Sequence, residues 1–340
     1  MGHAGLGPAS LQVARAVSDA LGRALAAPFP HGRSGRAQAG PRSVVVAVSG
    51  GADSLALAAG TVWALRPGGP FAQLPAWAVV VDHGLQDGSA EVAERAAAQA
   101  RDLGLESRVV RVAPDGRDGP EASARRARYA ALLAERSAHV LLGHTLDDQA
   151  ETVLLGLARG SGTRSLAGMA ERSGRLVRPL LGLRRAVTSA ACAEAGLRPW
   201  VDPHNTDPGF ARPRVRSALP LLDALLGPGL PEALARTATL ARADADCLDR
   251  IAAEAVAGPL HGDTLSVAEL ASLPEAIRTR VLLSWLRARG ATDVSMVHVG
   301  AVDRLVTAWR GQTGVDVPRG RVTREAGRIG FTAAPPGPLG

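Results

Sequence analysis

Ser49-Gly50-Gly51-Ala52-Asp53-Ser54 is the stretch whose residue types and spacing point most directly to chemistry. Two adjacent glycines let a backbone come close to an anion. Where such a loop follows a strand and opens a helix, unpaired amides face the anion and the helix dipole favours negative charge. Ser49 and Ser54 add hydroxyl donors. The spacing is not the G-x-x-x-x-G-K-[ST] of the common phosphate loop, nor the G-x-G-x-x-G of a dinucleotide site. The plainer alternative is a strand–turn–helix corner in which the glycines serve geometry and Asp53 caps the helix.

A second group is Gly143-His144-Thr145-Leu146-Asp147-Asp148-Gln149-Ala150-Glu151-Thr152. Asp148 and Glu151 are three apart and share a helix face. His144 lies four positions before Asp148. At the carboxyl end of a strand these groups could bind Mg²⁺ or an ammonium ion. Read alone, the segment also fits a helix start in which Asp147 caps and the other acids complement the dipole. Val81-Asp82-His83-Gly84-Leu85 could place side chains over an adenosine, but Asp-His-Gly is also an ordinary turn. Between Arg159 and Arg216 stand eleven arginines and four acids, an excess equal to the +7 of the whole chain. Arginine can fork two hydrogen bonds to a phosphate, so the stretch suits a nucleic-acid backbone as well as a solvated face. Tyr129 and Trp200 could stack on a base or simply pack.

These groups sit in a regular alternation. Short apolar strands are expected at Ser43–Val48, Ala76–Val81, Ser107–Val112 and His139–Leu142, with a fifth at Leu176–Leu180. Helical patterns fall between them at Ser54–Leu65, Ser89–Leu103, Glu121–Arg136 and Asp147–Leu157. Strand, helix, strand, helix implies right-handed crossovers and an α/β fold: a mostly parallel sheet with helices on both faces. A helix from about Ser10 to Ala27 precedes it, and Pro28–Arg42 is a Gly/Pro/Arg-rich connector. After Pro220 the pattern changes. Gly227-Pro228-Gly229 marks a boundary, residues 231–256 and 274–310 are helical, and β-prone pieces follow near Val315–Val317 and Ile329–Thr332. The division expected is 1–42 for the helix and connector, 43–226 for the site-bearing domain, and 230–332 for a smaller, mainly helical domain.

A chain of 340 residues suits two domains and buries a core without staples. Hydrophobic residues make up 46% and the mean hydropathy is +0.06, which fits a soluble globular protein. All 39 basic residues are arginine, a bias that a GC-rich coding sequence also produces. The two cysteines, Cys192 and Cys247, form no C-x-x-C, which argues against a zinc site or a dithiol motif. No stretch reaches the roughly 18 apolar residues of a membrane span. No signal peptide is apparent, and Leu6 stands where a myristoylation motif needs Ser or Thr. A cytoplasmic location is expected.

The loop matches the pyrophosphate loop, S-G-G-x-D-S, of the PP-loop or nucleotide α-hydrolase superfamily. With it come V-D-H-G-L, E-x-S-x-R-x-x-R-Y, G-H-x-x-D-D-Q-x-E-T, R-G-S-G, L-x-G-M and R-P-L-L. In this chain they are Val81–Leu85, Glu121–Tyr129, Gly143–Thr152, Arg159–Gly162, Leu166–Met169 and Arg178–Leu181. That order resembles the tRNA(Ile)-lysidine synthetase family over most of residues 44–220. The resemblance implies ATP, Mg²⁺, free lysine and a tRNA(Ile) with a CAU anticodon. The wobble cytidine's C2 oxygen would be adenylylated, and the lysine ε-amine would then displace AMP. Ser49, Gly50, Gly51, Ala52, Asp53 and Ser54 would hold the nucleotide, with Asp53 on the metal. Asp148, Glu151 and His144 would handle the lysine ammonium groups or the metal. Arg159, Arg178, Arg212, Arg214 and Arg216 would face the tRNA.

The chain departs from the family pattern at Pro213, where an asparagine is usual, and at Gln86, often arginine. Asn205 falls at the start of the same tail motif. Two other readings remain at this stage. One is a different enzyme with this loop, such as a tRNA thiolase or an amidotransferase-type synthetase, for which no cysteine motif or glutaminase region is present. The other is a non-catalytic RNA-binding protein on the same fold.

Overall fold

The computed structural model describes residues 6–26, 43–84, 88–113, 119–135, 138–160, 162–203, 207, 209–257 and 262–334. The expected connector and the positions of Leu85, Gln86, Ser161 and Asn205 lie outside them. The chain divides into two compact units, Met1–Ala241 and Arg242–Gly340.

The first unit runs α1 (Pro8–Ala26), β1 (Ser43–Val48), α2 (Ala52–Ala64), β2 (Ala76–Asp82), α3 (Ser89–Asp102), β3 (Ser107–Arg111), α4 (Pro120–Leu132) and β4 (Ala138–Leu141). It continues through α5 (Leu146–Ala158), α6 (Thr163–Leu166), β5 (Arg172–Ser173), β6 (Leu176–Val177), α7 (Arg185–Glu194) and α8 (Ala211–Leu226). The six strands are ordered β3-β2-β1-β4-β6-β5. All pairs are parallel except β5–β6 at the edge. All six residues of β1 are buried, as a central strand covered on both faces requires. Its side chains alternate between faces. Val44, Val46 and Val48 join the core with α1, α2, α3 and α7. Val45 and Ala47 join Leu132 of α4 on the opposite face.

The expected strands and helices between residues 43 and 158 are present, with ends shifted by a few residues. The fifth strand is shorter than expected. β6 pairs with β4 only through Leu176 and Val177, because Pro179 has no N–H to continue the ladder. Three helices of this unit lie outside the expected set: the short α6, α7 and α8. In α8, Pro213 lies in the first turn, where the amide has no helical partner to lose. Pro220 lies inside the helix and removes one intrahelical bond.

α9 (Leu230–Ala257) spans the division at Ala241. The second unit then contains β7 (Thr264–Ser266), α10 (Val267–Ser272), α11 (Glu275–Ala288), α12 (Met296–Thr307), β8 (Val315–Val317), β9 (Gly320–Glu325) and β10 (Arg328–Ala333). Its strands form an antiparallel sheet ordered β7-β10-β9-β8. Leu265, Leu282, Trp285, Val302, Val322 and Ile329 form its core. The expected helical run 274–310 is two helices. α11 closes where Gly290 N and Ala291 N donate to the carbonyls of Arg287 and Leu286, both at 3.1 Å, a helix-ending pattern. Arg278 pairs with Asp303 at 2.5 Å and ties α11 to α12.

α1 lies outside the strand–helix alternation yet is part of the first core. Val13, Val17, Leu21 and Ala24 form a buried stripe, spaced three to four apart as one helix face requires. The Glu194 carboxylate accepts from Ala9 N and Ser10 N, anchoring its first turn to α7. Leu21→Ala is therefore expected to destabilise the first unit by about 3 kcal/mol. Chemical unfolding followed by circular dichroism measures it; a change below about 0.5 kcal/mol would show α1 to be peripheral.

Candidate active site

β1 and β4 are neighbours at the centre of the sheet, and the strand order runs outward from them in opposite directions. Open parallel sheets take ligands beyond the carboxyl ends of strands at such a switch point. The loop Ser49–Gly51 leaves β1 there, and Leu142–Thr145 leaves β4. The two exits touch. A Cβ on Gly143 would lie 3.0 Å from the carbonyl carbon and oxygen of Asp53, so a side chain here would push the exits apart. This close approach sets the α5 start against the first turn of α2.

Gly50 has φ +88°, a conformation glycine adopts without penalty. Its carbonyl accepts from Trp200 N at 2.9 Å, fixing the loop. Gly51 is the N-cap of α2, and no side chain caps the helix. Its first-turn amides therefore have no partner within the helix and form the cradle a phosphate needs. Ser54 Oγ donates to Gly51 O at 2.9 Å and accepts from Ser49 N at 3.1 Å. Beside the loop is a cleft of about 270 Å³ lined by Ser49, Gly51, Asp82, His83, Arg128 and Trp200 among others. Asp82 accepts from Gly84 N at 2.9 Å. Burial opposes its charge, but this bond, Ser89, Arg111 and His83 outweigh it and hold the carboxyl below the usual range. The turn reading thus applies to Asp82, whereas His83 faces the cleft.

Asp53 is not the cap. It sits in the first turn, and its carboxylate accepts from Thr188 Oγ1 and, at 3.3 Å, from Arg185 Nε. Burial raises its pKa, opposed by the Thr188 hydrogen bond and the Arg185 charge. The cap of α5 is Thr145, not Asp147, because Thr145 and Asp148 form a reciprocal capping box. Thr145 N donates to Asp148 Oδ2 at 2.8 Å. Asp147 instead accepts from Arg185 N at 2.7 Å and pairs with Arg184 at 3.2 Å, joining the starts of α5 and α7. Gln149 brackets the backbone of Met169, accepting at 2.7 Å and donating at 3.0 Å, so the L-x-G-M segment is tied to the acidic helix.

The structure brings Asp53, Asp148 and Glu151 to one place. Arg185 spans all three: Nε to Asp53 at 3.3 Å, Nη2 to Asp148 at 2.6 Å and Nη1 to Glu151 at 3.5 Å. Arg216 pairs with Glu151 at 2.7 Å. The Glu151 side chain is fully buried, so these cations offset a charge that would otherwise be costly. His144 is close enough to feel this field. Burial, with Arg178, Arg128 and Arg212, lowers its pKa to about 4 against the pull of Asp148. It is neutral at pH 7, with a buried Nδ1 that has no hydrogen-bond partner among the described residues.

Placement of the expected RNA-facing arginines is mixed. Arg159 and Arg214 are exposed, and Arg212 is half-buried. Arg216 turns inward onto Glu151, and Arg178 is 7% exposed, donating to Ala170 O at 2.7 Å. Each of these two guanidiniums is engaged inside the first unit. Tyr129 packs against the core on the α4 face. Sequence reading missed Arg185, Thr188 and Arg128. Arg184-Arg185, separated from the R-P-L-L segment only by Gly182 and Leu183, was the available signal.

Among the described residues no group of three His, Cys, Asp or Glu side chains is set to hold a metal. Asp53 alone fits Mg²⁺ only in the usual nucleotide manner, where phosphates and water supply most ligands.

A pyrophosphate-loop cradle at the switch point of a parallel sheet defines a PP-loop ATP-binding protein. A PP-loop domain model matches residues 26–222, and a TilS substrate binding domain model matches residues 265–329. The tRNA(Ile)-lysidine synthase of Mycolicibacterium paratuberculosis is 56% identical over 274 residues, covering 80% of this chain and 83% of that protein. Those of Thermobifida fusca and Leifsonia xyli subsp. xyli are 54% and 48% identical, covering 82% and 92% of this chain and 87% and 98% of theirs. The chain belongs to the tRNA(Ile)-lysidine synthase family.

The His144 environment has a measurable consequence. Its folded pKa of about 4 lies below its ordinary 6.5. As pH falls from 6.5 towards 4 the unfolded chain takes up a proton that the folded protein refuses, so stability is lost across that window, by up to ~3 kcal/mol. His144→Asn is expected to flatten this part of the stability–pH curve in chemical unfolding. Parallel curves for the two proteins would contradict the assignment.

Proposed function

We propose that this protein joins lysine to C2 of the wobble cytidine in the CAU anticodon of tRNA(Ile). ATP is consumed and AMP and pyrophosphate are released. The observation that carries the reading is the convergence of the Ser49–Ser54 cradle with Asp53, Asp148 and Glu151 at one crevice, in a chain of this family.

The cytidine C2 oxygen attacks the α-phosphorus of ATP. A P–O bond forms, the α–β bridge breaks, and pyrophosphate leaves against the amides of Gly51–Ser54. A carbonyl oxygen is a poor leaving group; adenylylation makes it a phosphate. The lysine ε-amine then adds to C2 and AMP departs with the former C2 oxygen. Asp148 and Glu151 attract the ammonium and orient the amine. The ammonium must lose one proton to free its lone pair before attack and a second once the C–N bond forms, and a neutral His144, whose Nδ1 has no partner among the described residues, is a group able to take one of them. Mg²⁺ held on Asp53 and the phosphates would neutralise charge building on the leaving group. Burial around Asp148 and Glu151 strengthens these interactions over their value in water.

The tRNA backbone would meet the exposed arginines, Arg159 and Arg214, with Arg212 beside the crevice. The second unit, where the TilS substrate binding domain model falls, is proposed as a further tRNA contact. We place the functional division as 43–226 for catalysis and 230–332 for tRNA contact. No described helix is long and apolar enough to cross a membrane, which agrees with a cytoplasmic setting for the reaction.

Two measurements test the reading. Asp53→Ala should lower lysine incorporation into a CAU-anticodon transcript by at least ~100-fold while the folded circular dichroism spectrum is kept; wild-type turnover in that variant refutes the role. Arg214→Ala and Arg159→Ala should each reduce the salt dependence of tRNA binding by about one counterion. Unchanged slopes would remove both from the interface.

A further inference from the structure

The acidic site is occupied from within. Asp53, Asp148 and Glu151 are the groups proposed above to take Mg²⁺ and the lysine ammonium. In this structure they are spanned by a single side chain, Arg185. It is the first residue of α7, and its position is set by its own backbone rather than by the acids it serves. Arg185 N donates to Asp147 at 2.7 Å, and its carbonyl accepts from Thr188 Oγ1 at 2.8 Å. The backbone tie and the guanidinium contacts are therefore separable: the tether can stay while the side chain leaves. The guanidinium is largely buried, with 28% of the side chain exposed. Burial opposes its charge, but Asp148, Asp53 and Glu151 outweigh it and hold the group firmly cationic.

A second cation, Arg216, is already fixed on Glu151 at 2.7 Å. Two cations against three carboxylates leave the cluster one negative charge. An incoming ammonium therefore meets a site whose charge is mostly spent and whose oxygens are mostly taken. Asp148 Oδ2 is committed to the Thr145 cap at 2.8 Å, so its free oxygen is Oδ1, the one Arg185 holds at 2.6 Å. Asp53 has Thr188 on one oxygen and Arg185 on the other. Every oxygen of Asp53 and Asp148 already has a protein partner while Arg185 stays, so an incoming ammonium must compete for them.

The geometry points to Arg185 as a built-in counter-cation that the substrate's ammonium displaces. It holds the three carboxylates together and arranged before substrate arrives, and it competes with the amine for them. It thereby sets the affinity for the amine and selects cationic acceptors over uncharged ones. Once displaced, the tethered guanidinium remains beside the first turn of α2, where an arginine suits phosphate oxygens. This inference rests on the proposed function, because lysine is taken as the amine.

Competition of this kind reduces apparent affinity by the fraction of molecules in which the site is open. Full-length Arg185→Gln, which removes the charge and leaves a shorter polar chain, should bind radiolabelled lysine about tenfold more tightly. The measurement is equilibrium dialysis with a non-hydrolysable ATP analogue present, and the estimate is for a site open about one time in ten. Arg185→Lys should fall between the two, since an ammonium restores the charge but cannot bridge three carboxylates. Norleucine, which has lysine's four-carbon side chain without the ammonium, should show no tightening in either variant. Thermal melting shows whether each variant is folded, and R185K carries the test if R185Q is not. Lysine affinity unchanged or weakened in folded R185Q overturns the inference, as does equal tightening of norleucine, which would mean a loosened pocket. A wild-type protein that binds no lysine overturns the proposed function and this inference with it, and is told apart from the first failure by the wild-type measurement alone.

Discussion

Three carboxylates in a partly dry crevice repel one another, and this protein's central crevice is arranged around holding them together. Like charges near one another at the protein surface oppose each other by several kcal/mol, and a buried carboxylate without a partner costs about as much. Arg185 and Arg216 supply the balance from α7 and α8. The remaining architecture follows from the need to deliver these groups to one point. β1 delivers Asp53, β4 delivers Asp148 and Glu151, and the absence of a side chain on Gly143 lets the two deliveries meet. The uncapped start of α2 and the three acids thus lie at the same switch point, one suited to a phosphate and the other to a cation. A site that joins an amine to an adenylylated base needs both.

The same constraint accounts for the helical caps. Asp148 does two tasks with two oxygens, one on Thr145 and one on Arg185. The cap fixes its rotamer, so its free oxygen is aimed without a further partner. Asp147, next to it, is spent on the α7 backbone and Arg184 and is unavailable for chemistry. Adjacent acids in one motif thus have different fates, and only the structure separates them.

Much of the first unit was legible because its signals are local. Val44–Val48 is apolar at every position, as a strand covered on both faces must be. The Ser49–Ser54 loop and the acidic helix start carry their chemistry in consecutive residues. What stayed hidden depends on contacts between distant residues or on rules that a local pattern breaks. Arg185 and Thr188 reach Asp53 across 132 and 135 positions, and the Arg184-Arg185 pair near the R-P-L-L segment marks a cationic spot without naming its partner. α8 was obscured by Pro213 and Pro220, which read as breakers; the first sits where a helix tolerates proline. The arginine excess between 159 and 216 was visible as a total, but not its partition. Arg178 and Arg216 are internal ties, whereas Arg159 and Arg214 face solvent. The β-prone pieces of the second unit were seen, but pairing them into an antiparallel sheet required the register.

The proposed reaction requires attack at the α-phosphorus, with the nucleotide's pyrophosphate in the α2 cradle. It is tested most directly by incubating the protein with CAU-anticodon tRNA(Ile) and α-³²P-labelled ATP, without lysine and then with it. The expected result is label on the tRNA that is released as AMP when lysine is added, with pyrophosphate formed in the first step. Labelled ADP, or no label on the tRNA under any condition, would contradict it.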